Sequence, residues 1–297
     1  MKIRIGGQAV VNGVMMRSDN YVSTAIREPN GKIAVRSREY HSITEKKKVL
    51  SWPFIRGIII LFEVMVLGLK ELTWASNKTM KKEEKLSKKE VALAMALSVI
   101  IALVIFKLVP WALANIFNNL FGIKGALLNV IDAVFKVLIL IIYFSVLGFS
   151  DEVKTLFQYH GAEHKTVFCY EKKKKLTPEN AMKFSRIHPR CGTTFVFLVF
   201  IVGLFFYILI PSAAGFWLNL LIRIMLLPII AGVAYELIRL EGKYYDRKVV
   251  KWIIWPGLQF QRLTTRNPSK KQLEVAIAAL EACIKKETVK NAQRSRR

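Results

Sequence analysis

The chain has 297 residues, 53% of them hydrophobic, and a formal net charge of +25 at pH 7. A soluble domain that apolar is rarely that basic, which excludes an ordinary cytosolic globule and points to apolar runs in lipid with basic segments facing an anionic surface. Three cysteines at irregular spacing (Cys169, Cys191, Cys283) exclude a disulfide framework and read as free thiols in a reducing compartment.

Residues 1–50 read as a β-rich N-terminal region. The stretch GGQAVVNGVMMRS (6–18) has glycines suited to tight turns and close backbone approach. It matches neither G-x-G-x-x-G nor a Walker loop, which argues against nucleotide binding; Gln8, Asn12 and Arg17 are candidates to line a polar site. Pro29-Asn30-Gly31 between two strand-like runs predicts a hairpin.

Residues 52–74 form an apolar helix interrupted by Glu63. Its uncharged part is short for a crossing, so it is predicted to be re-entrant or interfacial. Basic residues fill 77–90. Four spans then follow near 91–111, 127–149, 194–213 and 217–239, each close to the ~20 residues a bilayer needs. Their outer links are 112–125 and 211–216. Lys and Arg number six in 75–90, nine in 150–192 and fifteen in 239–297, against Lys124 alone in 112–125. With four spans every basic segment falls on the cytoplasmic side, and the eleven in 1–56 place the N-terminus there too.

Charges also occur within the spans. Asp132 and Lys136 are four apart on one helical face and suited to pair, while Arg223 and Glu236 stand too far apart along one helix to meet. Residues 251–266 have the Trp, Arg and Lys content of an interfacial segment. Ser269 and Gln272 form a capping box, and Leu273, Ile277, Leu280 and Ile284 give the helix after them an apolar docking face. The predicted fold is thus mainly α: a polytopic membrane protein with about four transmembrane helices, one re-entrant or interfacial helix, a small N-terminal β-hairpin region and a C-terminal cytosolic helix. Its parts are an N-terminal region (1–50), a membrane domain (51–240, with a cytoplasmic motif loop at 150–192) and a cytoplasmic C-terminal segment (241–297).

The motif loop holds the candidate chemistry. His160, Glu163 and His164 read H-x-x-E-H. On a helix both imidazoles share a face and can hold one divalent cation, zinc above all, with Glu163 as the catalytic base, in the inverted zincin pattern. A catalytic zinc has three protein ligands and an open position. His188 and Cys191 are the candidates to complete the set; Glu236 and Glu241 are weaker ones. Cys191 precedes an apolar run, where a helix N-terminus favours its thiolate. Against the metal stand Gly161, which weakens a helix, and the positive charges of Lys165 and Arg190. Without a metal these side chains would fill ordinary hydrogen-bonding roles.

Five stretches in order, GGQAVVNGVMMRS, YHGAEHKTVFCYE, HPRCGTTF, AGVAYELIRLEGK and PGLQFQRLTTRNPSKKQLEVAIAALEA, together resemble the YqhQ-like family of bacterial membrane proteins. That family is catalogued as of unknown function and labelled a predicted metal-dependent enzyme. The resemblance implies a metal site at His160, Glu163, His164, His188 and Cys191, and names no reaction. Where the family usually shows an acidic residue, this chain has Asn12.

Three functions follow as expectations. The first is a metal-dependent enzyme, hydrolytic in type, in the plasma (inner) membrane with both termini cytoplasmic. The second is a non-catalytic assembly factor binding a membrane protein, the ribosome or the insertion machinery. The third is an oligomeric transporter using the charges within the spans. Expected partners are the lipid bilayer, anionic lipid head groups, a membrane-protein or ribosomal partner and a second copy of the chain.

Overall fold

The computed structural model describes residues 3–45, 48–53, 55–80, 87–123, 125–209, 216–244 and 247–294. The expected outer link at 211–216 falls almost entirely outside the described residues.

Four strands come first: β1 (Gly6–Val10), β2 (Gly13–Arg17), β3 (Tyr21–Arg27) and β4 (Ile33–Glu39). They form one antiparallel sheet in chain order. The hairpin expected at Asn30-Gly31 joins β3 to β4, with Gly31 at φ 85° and the Asn30 side chain accepting from Lys32 N–H at 2.9 Å. The stretch 6–18 is a second hairpin. Val10 faces Gly13, so Val11-Asn12 is the turn, with Asn12 at φ 52°, a backbone state asparagine tolerates. A side chain at Gly13 would run into the Ala25 carbonyl. Gln8, Asn12 and Arg17 therefore do not converge. Gln8 packs against Gly68, Asn12 turns the chain, and Arg17 stacks 4.0 Å over Tyr40.

Alternation sends the two faces of the sheet into different cores. Val14, Met16 and Ala25 pack with Tyr159, Leu273, Ala276 and Leu280; Val10, Met15, Val22 and Ile26 pack with Leu67 and Ala75. Helix α1 (Ile55–Thr79) thus covers one face, while α5 (Asp151–Glu171) and α10 (Lys270–Arg294) cover the other. Each of these buried Leu, Ile or Val side chains contributes roughly 1.5–3 kcal/mol. Polar pins fix the layers. Glu71 of α1, only 1% exposed, accepts from Thr24 Oγ1 (2.7 Å) and pairs with Arg36 and Arg38. Glu287 of α10 accepts from Ser18 Oγ (2.7 Å), Asn20 Nδ2 (2.6 Å) and Asn20 N–H (3.0 Å). The Ser269–Gln272 capping box is reciprocal, at 2.8 and 3.3 Å.

The segment expected at 52–74 is the unbroken 25-residue α1. Its Glu63 accepts from Tyr40 Oη, Ser42 Oγ and Ile43 N–H, which explains a carboxylate in an apolar run. The next span is longer than expected. Helix α2 (Lys88–Leu103), a π-helical stretch at Val104–Leu108 and α3 (Val109–Phe121) run together, so most of the link placed at 112–125 is helical. Pro110 is accommodated at the first turn of α3, and Gly122 at φ 66° ends it. Then come α4 (Ala126–Leu147), α6 (Pro178–Met182), α7 (Gly192–Ile208), α8 (Phe216–Tyr244) and α9 (Lys248–Thr264).

Among the described residues three helices, Lys89–Phe121, Leu127–Leu147 and Trp217–Leu240, are long and apolar enough to cross a membrane; Gly192–Ile208 is a shorter apolar helix. Asp132 pairs with Lys136 as expected, and also with Arg223 of α8 at 2.8 Å. Glu236 is bound by Arg56 of α1. The motif region at 150–192 is a helix over most of its length rather than a loop.

Candidate metal centre

Helix α5 begins with Asp151 and Glu152 in its first turn, acidic residues that suit the positive end of the helix dipole. His160 and His164 lie one turn apart, their ring centroids 4.5 Å from each other. Gly161 between them is required. A Cβ there would collide with the Arg266 carbonyl, and the Arg266 N–H bonds the Phe157 carbonyl at 2.9 Å. The glycine lets the strand-like segment after α9 lie directly on α5.

That segment sets the first histidine. A carbonyl only accepts, so His160 Nδ1 carries the proton and donates to Thr264 O at 2.9 Å. His164 Nδ1 likewise donates to Arg186 O at 2.5 Å. Both rings are thereby fixed in the tautomer that leaves the Nε2 lone pair free, the arrangement in which backbone acceptors orient metal-binding imidazoles. His160 Nε2 lies 3.2 Å from Cys191 Sγ. His164 Nε2 is buried and has no hydrogen-bond partner among the described residues. The two Nε2 atoms and the sulfur lie within 4.8 Å of one another. Burial lowers the His164 pKa and keeps the ring neutral.

Cys191 is the N-cap of α7. Its sulfur accepts from Thr193 N–H (3.4 Å) and meets the Thr193 hydroxyl at 3.0 Å. The helix N-terminus expected to favour a thiolate is present. All three cysteines are free.

Glu163 is buried against β1. It accepts the Gly7 N–H, and a Cβ on Gly7 would lie 2.8 Å from the Glu163 Cγ. Burial raises its pKa, outweighing the opposing influence of His160, His188 and the Gly7 amide.

His188 stands outside the group of three. Its Nδ1 accepts from Arg190 N–H (3.2 Å), its Nε2 faces the Glu171 carboxylate (3.4 Å), and its ring packs on Phe168 at 4.3 Å. Burial takes its pKa down to about 4. Its backbone makes a two-way clasp with Gln261, at 2.9 and 2.7 Å. Glu236 is held by Arg56, away from the cluster. The Glu241 side chain lies outside the described residues.

The nearby cations are accounted for. Lys165 Nζ donates to the Met182 and Phe184 carbonyls, and Arg190 pairs with Glu171. Gln261 is a site residue that sequence reasoning missed. It also donates to Thr194 Oγ1 at 2.8 Å, tying α9 to the start of α7. Its signal was a glutamine on the inward face of the QFQRLTTR stretch, hidden by the interfacial character of that stretch.

The donor set fits a zinc ion: two imidazole Nε2 atoms whose rings are anchored through Nδ1, one of them an orphaned buried atom, and a thiol at a helix N-terminus. Tetrahedral zinc places such atoms about 3.3–3.6 Å apart.

Comparison with known proteins places residues 52–286 in the match to the family described as "Protein of unknown function (DUF1385)". The chain is 35% identical over 298 residues to "Uncharacterized protein YqhQ" of Bacillus subtilis (strain 168), covering 96% of this chain and 93% of that protein. No solved structure matches.

Proposed function

The chain belongs to the DUF1385 family of YqhQ-like proteins, and from that premise we propose that it is an integral membrane protein with a zinc centre at His160, His164 and Cys191. The observation that carries the reading is the paired tautomer: two Nδ1–H groups anchored on backbone carbonyls, with the freed Nε2 atoms grouped with Cys191 Sγ. Three protein ligands with a further position open is the stoichiometry of a catalytic site. A zinc ion held there supplies Lewis-acid polarisation of a carbonyl or phosphoryl group. Glu163, its pKa raised by burial, holds a proton in reserve for a hydrolytic step. Its neighbour Gly7 keeps β1 pressed on the carboxylate and excludes bulk water. His188 acts as a strut for the Gln261 clasp.

The membrane reading extends to four crossings, with α7 as the fourth and α1 lying along the surface. Parity supports this. The sheet, α5 and α10 share one core, so they lie on one side. Two crossings separate the sheet from α5 only if α1 does not cross, and two separate α5 from α10 only if α7 does. The basic segments then gather on that side, the cytoplasmic face of the plasma membrane.

Metal analysis of the purified full chain tests the centre. We expect about one zinc per chain, lost in His164→Ala and reduced at least tenfold in Cys191→Ser, in keeping with the loss of one ligand. Metal-free wild-type protein prepared without chelators overturns it. A second reading is favoured by the burial of Glu163: a non-catalytic centre that clasps α5 to α7. Full complementation by Glu163→Gln together with retained zinc selects it.

A further inference from the structure

The polar residues within the apolar helices surround a cavity of about 230 Å³. Its polar wall is Lys107, Lys136, Tyr207 and Arg223; the remainder is apolar. Arg223 is largely committed: Nε donates to Asn219 Oδ1 (2.7 Å), Nη1 to Asp132 (2.8 Å) and Nη2 to Asn129 (3.3 Å), and the guanidinium stands 4.7 Å over Tyr207. Lys136 shares the same Asp132 carboxylate. Lys107 has no hydrogen bond or ion pair among the described residues, and it sits in the π-helical stretch Val104–Leu108 near the middle of the long helix. Such interruptions cluster at functional positions.

The charge does not balance. Three basic side chains meet one carboxylate, more than that acid can pair, around an apolar-walled space where desolvation is costly. An ion pair kept for structure would be neutral. The mouth of the cavity is also informative. Leu103, Ile224 and Leu227 line the cavity and are yet 52%, 48% and 47% exposed, so it reaches the apolar outer surface of helices long enough to cross a membrane. A guest entering by that route arrives with a hydrocarbon tail.

We infer that this cavity binds the head group of a long-chain phosphate monoester lipid, with the phosphate between Lys107 and Lys136 and the tail leaving past Leu103 and Leu227. A monoester carries up to two negative charges and offers acceptors to both lysines. The space takes a phosphate and the first carbons of the chain, and the committed guanidinium holds the floor. The inference is independent of the zinc centre.

Native mass spectrometry of the full chain in detergent tests it, using dioleoyl phosphatidic acid, dioleoyl phosphatidylcholine and inorganic phosphate as probes. We expect one phosphatidic acid retained about tenfold or more tightly than phosphatidylcholine, and no retention of inorganic phosphate. Lys107→Met should weaken that retention about tenfold, the loss of one charge-assisted contact, and Lys107→Arg should preserve it. Lys107 makes no hydrogen bond or ion pair among the described residues, so its removal breaks no contact of the Asp132 network. Equal retention of the two lipids overturns the inference. So does unchanged binding by Lys107→Met, which makes Lys107 a lone buried cation. Saturation by inorganic phosphate alone also overturns it and makes the cavity a small-anion site.

Discussion

Gly161 lies between the two site histidines, and two opposing effects meet there. Alanine is favoured over glycine in a helix interior by about 1 kcal/mol. Here the added methyl meets the Arg266 carbonyl, which cannot retreat because its own amide is bonded to Phe157. Overpacking costs about 1–3 kcal/mol, so Gly161→Ala is expected to lower the thermal midpoint despite the better propensity. The same displacement moves Thr264, whose carbonyl orients His160. Zinc retention should therefore fall along with stability, which metal analysis of that variant checks. The pairing of His160 with His164 could be read from spacing alone, since four residues make a turn. Cys191 could be read from its place ahead of an apolar run. The orienting partners could not. Thr264 comes from α9 and the Arg186 carbonyl from an irregular segment, so only tertiary packing brings them to the imidazoles, as it brings Gln261 of α9 to the His188 backbone.

Among the elements, α10 shows how polar pins set pH dependence. Burial alone would raise the pKa of Glu287, but hydrogen bonds from Ser18 and Asn20 outweigh it and the net shift is downward from 4.5. A carboxylate with a lowered folded pKa contributes stability above its unfolded value and loses it as pH falls through the folded one. The contact of α10 with the β2–β3 turn is therefore expected to be complete at neutral pH and to weaken below about pH 4.3. Hydrogen exchange of α10 across that range measures it, and Glu287→Gln should remove part of the dependence. The capping box and apolar period of α10 announced the helix in the sequence. The β1–β2 hairpin was less visible, because its strands are short, one opens with two glycines, and its turn is Val11-Asn12. The helical run through 112–121 was missed because the span was ended near 111, about the length a bilayer needs, whereas the chain continues as helix past Pro110 to Phe121.

For the whole molecule, the packing of the sheet, α5 and α10 into one body turns topology into a question of parity. Cysteines placed at the two ends of the membrane helices distinguish the answers. Asn119→Cys is expected to react with an impermeant maleimide in intact cells, and Lys174→Cys only after permeabilisation. Labelling of both from outside sinks the four-crossing reading. The exposed indoles of Trp252 (82%) and Trp255 (58%) on α9 fit a helix resting at the lipid–water boundary. Hydropathy carried the positions of the long apolar helices. It did not carry the joining of the N-terminal sheet to a helix near the other end of the chain, which depends on contacts between residues such as Ser18 and Glu287.

That joining has a consequence for biosynthesis. Strands ending at Glu39 are made long before the helix that begins at Lys270. At roughly 5–20 residues per second the interval is tens of seconds. Until α10 follows, the sheet face bearing Val14, Met16 and Ala25 has at most the part of its cover that α5 supplies. A nascent chain in that state has an open apolar ledge, and the histidine pocket matures only after translation has run almost its full course.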